Sequence, residues 1–485
     1  MVKEEGAIQI SVRELGALEE ADIRLKPLTV FVGPNNSGKT YGAYLIASLF
    51  GEYGWLQYTG AYVDGRTSKK YEPIDTVISR FIETGSANIE ISAFIRDYSA
   101  DYYSGLAELC PGWMKNYLGT TRVALDDLSV EVNIEERMEN LVESSLKIAL
   151  KRKLGVDKEG KSLVNFVKER DESRIYIYTE GEGVQDKIPI KEIKRFVAGN
   201  IFMLVHRALF RDVRVFGAER TGMPLLYNPI RSRERIDEKT GFDDSQESES
   251  EKPVLPYPVS SLVLTILDIR RWGDLKERCK YAEKEPGVKK YLEYADLLER
   301  EILGGHLVLS TDDPDPFREI LFEWERAGRK IPLDISVTAS MVKGLSPLIL
   351  YLRYRISPGE LIIIDEPEMN LHPEAQAQLM ELLTMLVNCG LNVLITTHSP
   401  YFVDHLVNLM KASRYENPEA IKDLFYLKDP DAFISQEKVS VYLFEGGRAR
   451  EILGENGFIE WETFSNVSEK VSRIFFEMDE VEDAV

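Results

Sequence analysis

Short aliphatic runs that each end in polar residues punctuate the chain at three places: Leu28–Val32, Leu361–Ile364 and Val393–Ile395. A run without polar interruption reads as a strand buried on both faces of a parallel sheet. Period-two alternation predicts further strands at Ile8–Val12 and Ala21–Leu25, which flank Gly16, and at Ala87–Ile95, Arg174–Thr179, His306–Ser310 and Ile320–Trp324. Val213–Phe216 is a short strand of the same kind. Helical spacing appears in Tyr41–Phe50, Ile74–Glu83, Glu135–Lys153, Ile190–Arg211, Ser260–Trp272 and Val288–Leu303. Gly51–Lys70, rich in Gly, Tyr and polar residues, reads as a loop. The stretch 231–252 is poor in apolar residues and ends in an acidic run, so it is expected to be a disordered linker. Strands interleaved with helices place the chain in the α/β class.

The polar ends of the three runs carry the chemistry. Leu28–Val32 leads into Gly33-Pro34-Asn35-Asn36-Ser37-Gly38-Lys39-Thr40, a G-x-x-x-x-G-K-[ST] phosphate loop followed by a helix. Glycines let backbone N–H groups approach phosphates, and the helix N-terminus adds a favourable dipole. In that context Lys39 reaches the β- and γ-phosphates of ATP, and the Thr40 hydroxyl ligates Mg²⁺. The second run ends in Asp365-Glu366, where Asp365 suits a hydrated Mg²⁺ and Glu366 suits the base that polarises an attacking water. The third ends in Thr396-Thr397-His398, and His398 can reach the γ-phosphate or that water from a neighbouring strand. Such side chains belong at the carboxyl ends of parallel strands, where α/β sheets hold their ligands.

Composition narrows the partners. The chain has 485 residues and a formal net charge of −21, with 44% hydrophobic and 29% charged residues. Phosphate neutralisation drives DNA affinity, so DNA binding by this chain alone is expected to be weak. The best basic candidate is Lys147 with Lys151, Arg152 and Lys153, placed together on the predicted helix Glu135–Lys153. No apolar run approaches a bilayer span, and no charged-then-apolar leader opens the chain. Three cysteines without metal spacing suggest neither a disulfide framework nor zinc. A cytoplasmic protein with no membrane association is expected.

Taken together, the phosphate loop, Ile364-Asp-Glu-Pro-Glu-Met-Asn-Leu-His-Pro373 and Thr397-His-Ser-Pro400 resemble the ABC-type ATPase heads of the RecF/SMC and OLD class. The phrase around Asp365 is especially similar to stand-alone ATPases paired with toxic effectors in prokaryotic anti-phage systems, the PARIS ATPase subunit among them. The resemblance covers about residues 1–50 and 330–475, with a short piece near Glu219-Arg220. It implies an α/β P-loop head with a mixed sheet, an antiparallel side sheet and a large inserted α+β lobe. Residues 1–96 and 331–485 would form the head. Residues 97–330 would form the lobe, with a return to the head near 212–222.

The resemblance also implies function. Heads of this kind hydrolyse ATP as a homodimer or a higher even-numbered oligomer, each lending a serine to the γ-phosphate of the other. Here Ser340, opening the helix after a Thr/Ser cluster, is the candidate, with Lys343 as a charge partner. This segment lacks the two glycines of the transporter signature. His372 is expected at the dimer interface. Arg220 either links the site to the lobe or makes a surface ion pair, and Gln57 is a weaker candidate metal contact. His206 reads as a packing residue. Glu445 reads as part of a terminal edge strand rather than of a nuclease site. The implied activity is an ATP-driven switch acting on a separately encoded effector such as a nuclease, in defence or DNA maintenance. A RecF-like DNA-tethering ATPase is the alternative, and a transporter subunit is disfavoured by the altered signature and the large insertion.

Overall fold

The computed structural model describes residues 6–223 and 255–459 apart from 157, 159, 182–186, 311–317 and 327, together with residue 473. The predicted linker at 231–252 lies outside the described residues. In chain order the strands are β1 (Ile8–Leu15), β2 (Leu18–Leu25), β3 (Leu28–Val32), β4 (Ser86–Glu90), β5 (Ser129–Asn133), β6 (Leu150–Val156), β7 (Ser162–Lys168) and β8 (Arg174–Tyr178). They continue as β9 (Val213–Phe216), β10 (His306–Leu309), β11 (Ile320–Arg326), β12 (Arg329–Asp334), β13 (Leu361–Asp365), β14 (Asn392–Thr397), β15 (Val439–Glu445) and β16 (Arg448–Glu451).

Nine strands form one mixed sheet in the order β5-β1-β2-β16-β15-β3-β14-β13-β9. From β15 to β9 all neighbours are parallel. Alternation along each strand explains why Leu361–Ile364 of β13 and Val393–Ile395 of β14 read as unbroken aliphatic runs. Phe31, Leu361, Ile363 and Leu394 point into one apolar cluster, beneath the helices Lys39–Phe50, Ile91–Tyr117 and Ile190–Leu209. Val30, Ile362, Ile364 and Ile395 point into a second cluster on the other face, beneath Tyr257–Trp272, Ser340–Tyr354 and Pro373–Asn388. Burial on two faces leaves no room for a polar stripe.

The predicted β1–β2 hairpin forms, with β5 added at its outer edge. It is continuous with the main sheet through β16, by the narrow pairing of Arg448 with Glu20 and Ala449 with Ala21. Two separate antiparallel sheets, β4-β8-β7-β6 and β10-β11-β12, complete the mixed α/β architecture. Among the described residues, no helix is long and apolar enough to cross a membrane.

Several local expectations change. Gly51–Lys70 is no loop, because Glu52–Val63 is a helix that buries Tyr58, Thr59 and Tyr62. Its ring stripe packs on Phe202 of the helix Ile190–Leu209, with Tyr58 and Tyr62 centroids 5.2 and 5.4 Å from that ring. The strand expected over Ala87–Ile95 stops at Glu90, and a long helix starts at Ile91. The helix expected over Glu135–Lys153 ends at Lys147, and Leu150–Val156 is an edge strand. Lys151, Arg152 and Lys153 therefore alternate across that strand, and Lys151 pairs with Glu169 at 2.6 Å. Charged residues of this sort keep edge strands from pairing further. Glu445 ends β15, which lies between β3 and β16 and not at an edge.

Candidate active site

β3, β14 and β13 lie side by side and parallel, so their carboxyl ends open into one crevice. The phosphate loop can turn only because of its glycines. Gly33 has φ 142°, and a Cβ there would sit 2.2 Å from the Phe444 carbonyl oxygen on β15. Gly38 has φ 94° and lies against Leu18 of the hairpin, 3.1 Å from Leu18 Cβ to an added Cβ. The loop is thus wedged between the sheet and the hairpin, and the helix Lys39–Phe50 starts directly from it.

Lys39 folds back into the loop. Its Nζ donates to the carbonyl oxygens of Gly33 (3.0 Å) and Pro34 (2.8 Å) and to Ser37 Oγ (3.4 Å). Burial pushes its pKa down to about 8, against the opposing pull of Glu366, Asp365 and Glu368. Thr40 Oγ1 donates to both carboxylate oxygens of Asp365, at 3.0 and 3.1 Å. The Thr396 hydroxyl donates to Asp365 as well. Asp365 is 3% exposed, and burial raises its pKa against the hydroxyls of Thr396 and Thr40.

Glu366 sits at φ 48°, in the left-handed region that non-glycine residues seldom occupy. Its N–H donates to the Thr396 carbonyl (3.0 Å), which pins the turn after β13 to β14. Arg220 braces the same turn from the other side. It donates to the carbonyl oxygens of Asp365 (2.5 Å), Glu366 (2.7 Å) and Gly217 (3.0 Å). At 2% exposure it makes no surface ion pair, so that alternative is set aside. Strain of this kind is held where surrounding contacts over-determine it.

His398 completes the arrangement, with Nε2 3.2 Å from Glu366 Oε1. Glu368 holds the backbone there, accepting from Thr397 Oγ1 and from the His398 N–H, both at 2.7 Å. Its second oxygen, Oε2, is buried without a hydrogen-bond partner among the described residues. A cavity of about 870 Å³ brings together Asn35, Asn36, Ser37, Gly38, Lys39 and Thr40 with Glu366 and His398. The turn residue Ala17 and the ring of Tyr41 also line it.

Other candidates lie elsewhere. Ser340 is the first residue of the helix Ser340–Tyr354, exposed and outside this cavity. The cap is Ala339 and not a hydroxyl residue, because Thr338 Oγ1 is engaged by the Ile335 carbonyl at 2.7 Å. His372 is an exposed N-cap whose Nδ1 accepts from the Glu374 N–H (3.4 Å). Gln57 is exposed on the helix Glu52–Val63 and does not line the cavity. His206 is a packing residue, buried, with Nδ1 3.0 Å from Tyr102 Oη and its pKa pushed down to about 4 by burial. Thr396 and Glu368 carried no assigned role in the sequence. Their signal was position alone, beside the two polar strand ends.

Residues 210–404 match a family model described as "AAA domain, putative AbiEii toxin, Type IV TA system". A curated relative, "OLD nuclease" of Thermus scotoductus, is 30% identical over 108 residues, which are 21% of this chain and 20% of that protein. The chain therefore matches about a fifth of that relative's length. Among solved structures, an SMC head bound to the C-winged helix domain of ScpA superposes with a TM-score of 0.34 at 11% identity, covering 92% of this chain and 97% of the other. The SMC head domain of Thermotoga maritima gives 0.29 at 12% identity, covering 92% and 98%. These superpositions are too loose to bear on function. The sequence matches support an AAA-type, OLD-like ATPase. They do not bear on the narrower likeness to the anti-phage ATPases.

Proposed function

We propose that this chain binds and hydrolyses ATP as an ABC-type switch, two heads closing on two nucleotides, and so controls a separately encoded effector, such as a nuclease, in anti-phage defence or DNA maintenance. The observation that carries the reading is the convergence of Lys39, Thr40, Glu366 and His398, from three adjacent strand ends, on one cavity of nucleotide size, with Asp365 hydrogen-bonded to Thr40 at its edge.

The residues have distinct tasks. Loop N–H groups from Asn35 to Thr40 cradle phosphate oxygens, and Lys39 leaves its backbone acceptors to neutralise the β- and γ-phosphates. Glu366 accepts a proton from the attacking water, and His398, held beside it, contacts the γ-phosphate. Positioning and charge stabilisation supply most of the catalysis in phosphoryl transfer. The Thr40 hydroxyl and Asp365 carboxylate, already in mutual contact, are the hard oxygen donors that suit Mg²⁺. They would hold it, and it would supply charge neutralisation on the transferring phosphate. Ser340, on an exposed helix start, would meet the γ-phosphate of a partner head. Arg220, bracing the Asp365-Glu366 turn, connects the site to the segment that leads into the inserted lobe.

The test is steady-state ATP hydrolysis by the wild type, Lys39→Ala and Glu366→Gln. Loss of a phosphate ligand or of a general base is expected to lower kcat by about 100-fold or more. Hydrolysis unchanged in both variants would sink the assignment.

A further inference from the structure

A second cavity, of about 550 Å³, lies at the opposite end of the parallel sheet from the phosphate loop. Its position follows from its floor. Pro358 and Gly359, in the turn before β13, line it, as do Gly390, in the turn before β14, and Asn392, the first residue of β14. Arg211, just before β9, lines it as well. The two turns are tied together, since the Gly359 N–H donates to the Gly390 carbonyl (2.8 Å) and the Arg211 N–H to the Gly359 carbonyl (2.9 Å). Both glycines have positive φ, 81° and 91°.

The charge on its walls is the unusual feature. Arg137, Lys147, Arg170, Arg207 and Arg211 all line it, against the single carboxylate of Glu285. That carboxylate is already engaged by Arg170, 3.6 Å away. The chain as a whole carries a formal charge of −21, so five cations around one hollow run against the composition. They come from distant segments brought together by the fold: the helical stretch 135–147, the β7–β8 turn, and the end of the helix Ile190–Leu209. Like charges held close raise the energy of the empty site, and a bound polyanion relieves that cost.

We propose that this cavity binds a small molecule carrying two or more phosphate groups. The hollow has the volume of ligand pockets that enclose a mononucleotide-sized molecule. Arginines suit phosphate because each presents a planar fork of donors. Tyr281, 37% exposed, also lines the wall and adds an aromatic side chain beside the cations. A duplex would contact a broad convex strip, whereas these cations line a hollow that has Arg137 and Asn392 buried in its wall. An occupant would rest on the roots of the strands whose far ends carry Asp365, Glu366 and His398. Each such strand spans roughly 16 Å at about 3.3 Å per residue.

The experiment uses the full-length protein with its phosphate loop saturated by ADP and excess Mg²⁺. Adenosine 3′,5′-bisphosphate and inorganic tripolyphosphate are each titrated in by calorimetry at about 0.15 M salt. The wild type is expected to bind at least one of them. Arg207→Glu/Arg211→Glu, which alters two exposed side chains, is expected to weaken that binding at least tenfold while ADP affinity changes less than about twofold. The ADP control separates loss of the site from loss of the fold. Equal binding by wild type and variant would overturn the proposal, as would absence of heat with both probes. Binding of duplex DNA that is lost in the variant, with neither small probe bound, would overturn it in favour of a nucleic-acid surface.

Discussion

Lys39 gives the residue scale its clearest consequence. Its ammonium is buried among carbonyl oxygens, which holds its pKa near 8 despite the nearby Glu366 and Asp365. Phosphate oxyanions favour the charged form, so nucleotide binding raises that pKa. The sign follows: below pH 8 the lysine is already protonated and binding takes up no proton through it. Above pH 8 the free protein has lost that proton, and binding must recover it. ATP affinity is therefore expected to be full below pH 8 and to fall as pH rises beyond it. Calorimetry in two buffers of different ionisation heat should show uptake close to zero at pH 6.5 and approaching one proton at pH 9. No uptake at pH 9 would contradict the assignment. Arg220 teaches a different lesson at the same scale. Its sequence context allowed a surface ion pair, and only burial against the Asp365 and Glu366 carbonyls shows that it braces the turn after β13.

At the scale of elements, the helix Ile190–Leu209 organises an aromatic cluster. Phe202 meets Tyr58, Tyr62, Tyr71 and Tyr102 with ring centroids 5.1–5.4 Å apart. Truncating it removes the shared contact of two further helices, so Phe202→Ala is expected to cost about 3–5 kcal/mol. Urea unfolding measures this directly, and a loss under about 1 kcal/mol would contradict the packing described. The same helices show what the sequence hides. β3, β13 and β14 were legible because burial on both faces leaves a short run that is mostly apolar, broken in β3 only by Thr29. Glu52–Val63 was not, because Gly54 and Gly60 mimic a loop. In the fold Gly54 lies where an added Cβ would come 2.5 Å from the Ser48 carbonyl oxygen, so the glycine serves close helix packing. The Glu135–Lys153 pattern misled for a related reason. Leu141, Leu146, Ile148 and Leu150 suggest one helical stripe, but the last three alternate with the strand period of two; the chain turns at Ile148 and pairs Leu150 with Lys168. Local periodicity cannot register a partner strand that lies in another segment.

For the whole molecule, the described site is built from one chain and leaves Ser340, the proposed signature serine, outside. Ser340 lies on an exposed helix start and not in the cavity that holds Glu366 and His398. The proposed account requires a second head to bring such a serine to the nucleotide, and therefore requires ATP to drive pairing. Glu366→Gln should bind ATP, fail to hydrolyse it and accumulate as the closed pair. The central measurement is the mass of that variant by light scattering, with ATP and Mg²⁺, with ADP, and without nucleotide. The account predicts a shift to an even-numbered assembly with ATP that is lost with ADP, and its abolition when Ser340→Arg is added while ATP binding persists. A mass that is the same in all three conditions would contradict it.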